Sequence, residues 1–162
     1  MFALQLDGLQ DASARLAAYP AALTAALSAK AAELAAALAD VVKNDKLSGG
    51  VLNARSGALR DSIAASVSAD ADGVVASASS EGDVKYAAIQ EYGGKTSAHE
   101  ILPVKAEALA FVSGGAQVFA RRVEHPGSLI PERSYLRSSL DDMRDEIVAA
   151  LTEAATETWA RA

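Results

Sequence analysis

The sequence lacks cysteine altogether and has few aromatic residues. Without cysteine, the chain can form neither disulfide bonds nor cysteine-ligated metal sites. Aromatic residues make up 5% of the 162 positions, and much of the 51% hydrophobic content is alanine. A core with so little aromatic volume should be thin. We therefore predict that the chain relies on neighbouring molecules for part of its burial.

Histidine is almost as scarce, and no residue pattern typical of an active site is present. His99 and His125 are the only two histidines, so a zinc site would need an unusual set of carboxylate ligands. The Gly-Lys-Thr string that ends at Thr96 lacks the earlier glycine of a phosphate-binding loop, because that position is Ile89. No serine lies in a Gly-x-Ser-x-Gly elbow. We therefore predict that the chain is not an enzyme and binds no metal or cofactor.

Positive charge is in the minority. The formal net charge is −6, with an isoelectric point near 4.9. This balance argues against a protein that grips nucleic acid through phosphate contacts, which requires a basic face. The first residues have neither a basic cluster nor a long apolar run, so no signal peptide is expected. Lys30, Glu33 and Asp40 interrupt the alanine-rich stretch, which argues against a membrane span. We expect a protein of the producing cell's cytoplasm without a membrane partner.

The N-terminal third is predicted to be a strand followed by a long helix. Residues 1–8 alternate in hydrophobicity and predict a short strand. Residues 9–46 are predicted to be helical, with Pro20 either breaking the helix or opening a second one. The part from Ala21 to Lys46 is rich in alanine, the best helix former, and would be roughly 39 Å long. That is longer than a small domain needs, so we expect its alanine-rich flank to lie on another subunit.

The middle of the chain, residues 56–131, is predicted to be a sheet region with short helices. One short helix is expected to place Leu59 and Ile63 on a single face. Asp72-Gly73 predicts one hairpin turn and Gly114-Gly115 predicts another, because glycine tolerates the positive φ that tight turns require.

A C-terminal helix is predicted at residues 132–160, where apolar residues recur at helical spacing. The order of elements predicts an α+β fold, in which a small antiparallel sheet carries the long N-terminal helix and the C-terminal helix. By length, residues 1–162 are expected to form a single domain.

Six side chains are candidates for contacts with other subunits. Tyrosine gives a large contact area at low entropic cost, so three tyrosines are equally plausible as core or interface residues. The only adjacent basic pair is predicted on a strand, where its side chains point to opposite faces and suit salt bridges within or between subunits. A histidine before a proline suits a hydrogen bond to loop backbone or a subunit contact. The candidates are Tyr86, Tyr92, Arg121, Arg122, His125 and Tyr135.

Three short motifs follow one another along the chain. The first is SGALRDSI at residues 56–63, and the second is YAAIQEYGG at residues 86–94. The third runs from Leu109 to Leu136 and contains VFARRVEHPG and IPERSYL. In this order and spacing, from Ser56 to about Leu151, the chain resembles the neck and tail-completion proteins of tailed phages, a family also described as tail components or virion morphogenesis proteins.

The resemblance implies a structural role in a phage particle. It implies a ring of six copies at the top of the tail, in contact with other neck and tail-tube proteins. DNA would pass through this ring without sequence-specific binding. The implied location is the virion, after a stage in the host cytoplasm. The resemblance also implies an α+β fold and a structural corner at His125-Pro126-Gly127.

Three other functions stay open. The nearest is a tail terminator, which caps the tail tube and stops its growth. From other classes, the chain could be an oligomeric cytoplasmic binding module or a small enzyme with a dispersed active site. Such an enzyme would need a concave polar pocket with perturbed ionisable groups.

Overall fold

A computed structural model describes residues 8–53, 55–70, 72–104 and 106–161. Within them, long helices combine with short antiparallel strand pairs, which confirms the predicted α+β class. The strand predicted at residues 1–8 lies, apart from Gly8, outside the described residues.

The chain forms two compact units. The first unit comprises Met1–Ala87 and Ser134–Ala162, and the second unit comprises Ala88–Arg133. The expectation of a single domain over residues 1–162 stays a prediction.

The longest element is helix α1, Leu9–Val41, which continues into a π-helical turn at Val42–Lys46. The predicted long N-terminal helix is thereby confirmed, but the predicted break or restart at Pro20 is wrong. Pro20 lies inside α1, where it removes one backbone hydrogen bond. Alanines on both sides supply the helix propensity that carries the helix through this position. Thr24 donates its hydroxyl hydrogen to the Pro20 carbonyl oxygen at 3.0 Å.

Helix α2 is a single turn, Ala58–Asp61. The expectation that Leu59 and Ile63 share a helical face is wrong, because Ile63 is the first residue of a strand. The Ser62 hydroxyl donates to the Leu59 carbonyl oxygen at 2.8 Å where the turn ends, and the β-branched Ile63 favours an extended backbone. Both apolar side chains are nevertheless buried in the same core.

Strands β1 (Ile63–Ala69) and β2 (Val74–Ser80) form an antiparallel hairpin. The predicted Asp-Gly turn is confirmed. The Asp70 carboxylate accepts hydrogen bonds from the backbone N–H groups of Asp72 and Gly73 at 2.9 and 3.1 Å. Such a bond from an aspartate to backbone two residues on is a standard way to close a turn.

Helix α4 spans Leu136–Arg161 and begins four residues later than the sequence predicts. Ser134 accounts for this start, because its hydroxyl oxygen accepts a hydrogen bond from the Ser138 backbone N–H at 3.2 Å. A serine in this position satisfies a backbone donor that the first helical turn leaves unpaired.

The two long helices run antiparallel to each other. Lys46 pairs with Asp142 at 2.7 Å, near the end of the N-terminal helix and the start of α4. At the opposite ends, the rings of Tyr19 and Trp159 meet edge to face, with centroids 5.1 Å apart. These two contacts show the direction in which α4 returns along α1.

The core of the first unit is formed by the end of α1, α2, the start of β1 and the start of α4. Among the residues that the structure describes, Tyr135 is the only aromatic one with a buried side chain in this core, which matches the thin core that the composition predicts. The buried members are Leu38, Ala39, Val42, Leu47, Leu59, Ile63, Tyr135 and Met143.

The second unit begins inside helix α3, Ala87–Tyr92, and consists otherwise mainly of short strands. The strands are β3 (Gly94–Lys95), β4 (His99–Ile101), β5 (Leu109–Ser113), β6 (Ala116–Ala120), β7 (Val123–His125) and β8 (Leu129–Ile130). β3 pairs with β8, β4 with β7 and β5 with β6, all antiparallel. The pairs are nested around one turn, so this segment runs out and back as a two-stranded ribbon.

The turn of the ribbon is Gly114-Gly115, as the sequence predicts. Both glycines have positive φ, 60° and 84°, which a tight hairpin turn of this kind requires. Instead of one small sheet, the described residues form four separate two-stranded pairs, counting β1 with β2.

Candidate interaction surface

The second unit contains no buried apolar side chain among its described residues. Its one buried side chain there is that of Glu91, a charged residue. A two-stranded hairpin is marginally stable in water and needs further strands or a packed helix to become independently stable. The ribbon is therefore the part of the molecule with the strongest physical reason to be covered by something else.

The β5–β6 hairpin is apolar on both of its faces. Residues that pair across the strands point to the same face, and successive residues alternate between faces. Leu109, Phe111, Val118 and Ala120 share one face, because Leu109 pairs with Ala120 and Phe111 with Val118. The other face, which we call the open face, carries Ala110, Val112 and Phe119 with Gln117.

The open face is exposed to solvent. Val112 is 73% exposed and Phe119 is 66% exposed, whereas Phe111 on the opposite face is 39% exposed. Contiguous exposed apolar residues of this size mark interaction sites more often than isolated ones do. A fully buried aromatic residue removes about 150–250 Å² from water, and 66% of the Phe119 surface is still available for burial.

The base of the ribbon is held by polar contacts around His125. Its Nδ1 accepts a hydrogen bond from the Gly127 backbone N–H at 3.0 Å, and its ring stacks on that of His99 with centroids 5.0 Å apart. The backbone N–H of Ser128 donates to the Thr96 hydroxyl at 2.7 Å, and the Thr96 N–H donates to the Ser128 carbonyl oxygen at 2.9 Å. These bonds fix the ribbon base with little apolar packing.

Gly127 is required by this corner. Its φ is +86°, and a Cβ atom added there would collide with the Thr96 carbonyl oxygen. His125 thus bonds loop backbone, which is one of the two roles expected from the sequence.

A second apolar surface lies in the first unit. It is an open groove of about 420 Å³ between α1, β2 and α4, which we call the α1–β2–α4 groove. A groove of this size falls in the range of ligand-binding clefts. Its lining includes Leu34, Leu38, Val74, Ala76, Leu140 and Ile147.

The remaining predicted interface residues lie on several elements. Tyr86 and Tyr92 are exposed. Arg121 and Arg122 are exposed between β6 and β7, so the prediction that they lie on a strand is wrong. Arg122 pairs with Glu100 at 3.5 Å. Their role in subunit contacts stays a prediction.

Tyr135 lies in the core. It is 1% exposed, and its hydroxyl donates to the Ala87 carbonyl oxygen at 3.3 Å. Of the two roles weighed for this residue, the structure shows the core role.

Sequence reasoning missed Val112 and Phe119 as candidate contact residues. Alternation along the strands shows that a hairpin has two faces, but both faces here are apolar. Only the cross-strand register, together with exposure, separates the open face from the other one. The double-glycine turn is the one local signal that fixes this register.

The two units differ in charge. The second unit has five acidic and five basic residues and is neutral with uncharged histidines, so the first unit carries the entire net charge of −6. Within the first unit, Lys30 pairs with Glu33 at 2.6 Å. The hydrogen bond that Lys30 donates to the Glu33 carboxylate, and then the negative charge of Glu33, raise the pKa of Lys30 above its ordinary 10.5, and the charges of Glu153 and Glu157 add to this.

No group of three or more potential metal ligands occurs in the part of the chain that the structure describes. Among the same residues, one helix, Leu9–Lys46, is long and apolar enough to cross a membrane by length and composition alone. Core helices of soluble proteins pass the same test. Its final turns are buried in the core of the first unit, whereas only 11% of its most apolar window is buried. The expectation that no membrane takes part stays a prediction.

Comparison with known proteins adds no family to this picture. No family model matches the chain, and neither a curated protein nor a solved structure matches it.

Proposed function

We propose that the chain is a structural subunit of the neck of a tailed phage or phage-like particle. In this role it completes the tail and joins it to the head, as part of a homo-oligomeric ring around the DNA channel. The ring contains six copies, as the resemblance implies, and contacts other neck and tail-tube proteins. The chain resides in the host cytoplasm before assembly and in the virion afterwards.

The observation that carries this proposal is the apolar β5–β6 hairpin, in a unit whose described residues include no buried apolar side chain. A monomer that works alone in solution has little reason to expose Val112 and Phe119 on a marginally stable hairpin. A subunit exposes such side chains before assembly because neighbouring subunits bury them afterwards. The largely uncovered alanine-rich part of α1 supports the same interpretation, and the three ordered motifs supply the identity of the assembly.

The acidic charge suits a channel through which DNA passes. A negative lumen repels phosphate, so the genome would slide through without adhering. We propose that acidic residues of the first unit line this lumen. A ring structure with a basic lumen would contradict this step.

The test is a deletion of the gene followed by negative-stain electron microscopy of the lysate. Filled heads and separate tails are expected, and adding purified protein should restore whole particles. Overlong tails would point instead to the tail terminator. Normal infectious particles would refute a neck function and favour a binding module or a small enzyme.

A further inference from the structure

We infer that the open face of the β5–β6 hairpin of one copy packs into the α1–β2–α4 groove of a neighbouring copy. The contact is heterologous, since two different surfaces meet, and repetition of such a contact closes a ring when the rotation between copies permits. This inference rests on the proposed function only in taking the chain to be a ring subunit. It adds which two surfaces form the ring.

The hairpin supplies the inserted side of the contact. Its open face presents one large ring, Phe119, beside the branched Val112 and the small Ala110. The hairpin ends in the Gly114-Gly115 turn, where a Cβ added to either glycine would meet nothing within 4 Å. The tip is therefore slim and unobstructed by neighbouring atoms, as an inserting element requires.

The groove supplies the receiving side. Its walls come from two helices and one strand, and the α4 wall includes Leu140, which is itself exposed. The volume of about 420 Å³ is large enough for an aromatic ring with an aliphatic neighbour. Exposed apolar side chains on both sides leave water together when the surfaces meet, which is the main driving force for association.

Charge favours the hairpin of another copy of the chain as the occupant of the α1–β2–α4 groove. Two first units, each with a net charge of −6, repel each other, which disfavours a contact of groove against groove. The second unit is neutral, and Arg121 and Arg122 directly follow β6. A hairpin therefore approaches the acidic first unit of a neighbour without net repulsion. Arg121 adds a positive charge directly after β6, whereas Arg122 pairs with Glu100 of its own chain. Hairpin and groove also occur in equal numbers, because each chain carries one of each.

Single-cysteine variants test this contact directly, because the chain has no cysteine of its own. Phe119→Cys places a thiol on the open face, and Leu140→Cys places one on the groove wall. The two purified variants, one carrying an affinity tag, are mixed and oxidised. We expect a mixed disulfide dimer in clear excess over the dimers that either variant forms alone. Glu81→Cys, exposed and outside the groove lining, is the control partner and should give no excess.

Three results would overturn the inference. Dimers of Phe119→Cys alone, equal in yield to the mixed dimer, would mean that hairpins pair with hairpins. A double variant with both Phe119→Cys and Leu140→Cys that stays monomeric and forms a disulfide within one chain would place the contact inside a single molecule. Absence of any mixed dimer above the Glu81→Cys control would mean that the two surfaces do not meet.

A second pair of variants checks the energetics. Phe119→Ser removes the ring from the open face, and Gln117→Ser changes a polar residue of the same strand and face. Analytical ultracentrifugation should show self-association weakened about tenfold or more by Phe119→Ser and hardly changed by Gln117→Ser. Circular dichroism should show both variants folded. Equal effects of the two substitutions on self-association would count against the inference.

The cross-linking result is independent of the phage assay. Rescue of particles by the added protein, without a mixed disulfide dimer, would leave the neck function standing and overturn this contact. A mixed dimer together with normal particles from the deletion would leave this contact standing and overturn the neck function.

Discussion

Replacing Tyr135 should destabilise the first unit without acting on subunit contacts. The ring is 1% exposed and belongs to a core in which no other described residue is a buried aromatic. Truncating such a ring to alanine leaves a cavity in addition to the lost transfer free energy, and typical costs are about 3–5 kcal/mol. We therefore expect Tyr135→Ala to lower the free energy of unfolding by about that amount.

Two comparison variants separate the parts of this effect. Tyr135→Phe removes only the hydrogen bond to the Ala87 carbonyl, which is long at 3.3 Å, so it should cost about 0.5–1 kcal/mol. Phe119→Ala removes an aromatic ring that is 66% exposed, and surface changes of this kind usually stay within about 0.5 kcal/mol in a monomer.

The assay is thermal unfolding at a protein concentration where the chain is monomeric. For a chain of this length, 1 kcal/mol shifts Tm by about 2–4 °C, so Tyr135→Ala should lower Tm by roughly 10 °C and Tyr135→Phe by about 1–4 °C. Phe119→Ala should leave Tm within about 2 °C of the wild type. A Tyr135→Ala variant as stable as Phe119→Ala would show that the ring does not support the core as described.

Three further outcomes are expected. Gly127→Ala should lower the free energy of unfolding by more than about 2 kcal/mol and speed amide exchange at Thr96 and Ser128, because its Cβ meets the Thr96 carbonyl at positive φ. Gly82→Ala, at a similar φ but in open space, should lower it by only about 1–2 kcal/mol. Equal losses of stability in the two variants would contradict the collision at Gly127. Pro20→Ala should stabilise the chain by up to about 3 kcal/mol in urea unfolding, because it restores a helix hydrogen bond, and any destabilisation would contradict this account. Glu33→Gln should lower the pKa of Lys30 in an NMR titration, because Glu33 is the main cause of its increase. Since the folded pKa of Lys30 is raised, the stability that this shift contributes is present at neutral pH and is lost as pH rises above 10.5 through the raised pKa.

Local chemistry explains which elements could be predicted from the sequence. The alanine-rich α1, the apolar spacing in α4 and the two glycine-containing turns each depend on residues close together in the chain. The effect of Pro20 is harder to predict, because a proline can break a helix, start one or lie inside one, and the helix propensity of the surrounding residues decides between these outcomes. Ile63 changed from helix to strand because β1 gains its pairing from β2, a contact that helical spacing does not reveal.

The candidate surface was less predictable than the fold. Tyr135 and Phe119 are both aromatic, and Phe119 has the more apolar sequence neighbours, yet Tyr135 is buried and Phe119 is largely exposed. Periodicity places a residue on a face but does not say what covers that face. The absence of buried apolar residues from the described part of the second unit becomes visible only in three dimensions.

The most direct test of the neck function is to locate the chain in intact particles. Antibodies raised against the purified protein, carrying gold, are applied to whole virions and to isolated tails and viewed by electron microscopy. We expect gold at the junction of head and tail in virions, and at the head-proximal end of isolated tails. Gold along the tail, at its far tip or nowhere on the particle would contradict the neck function.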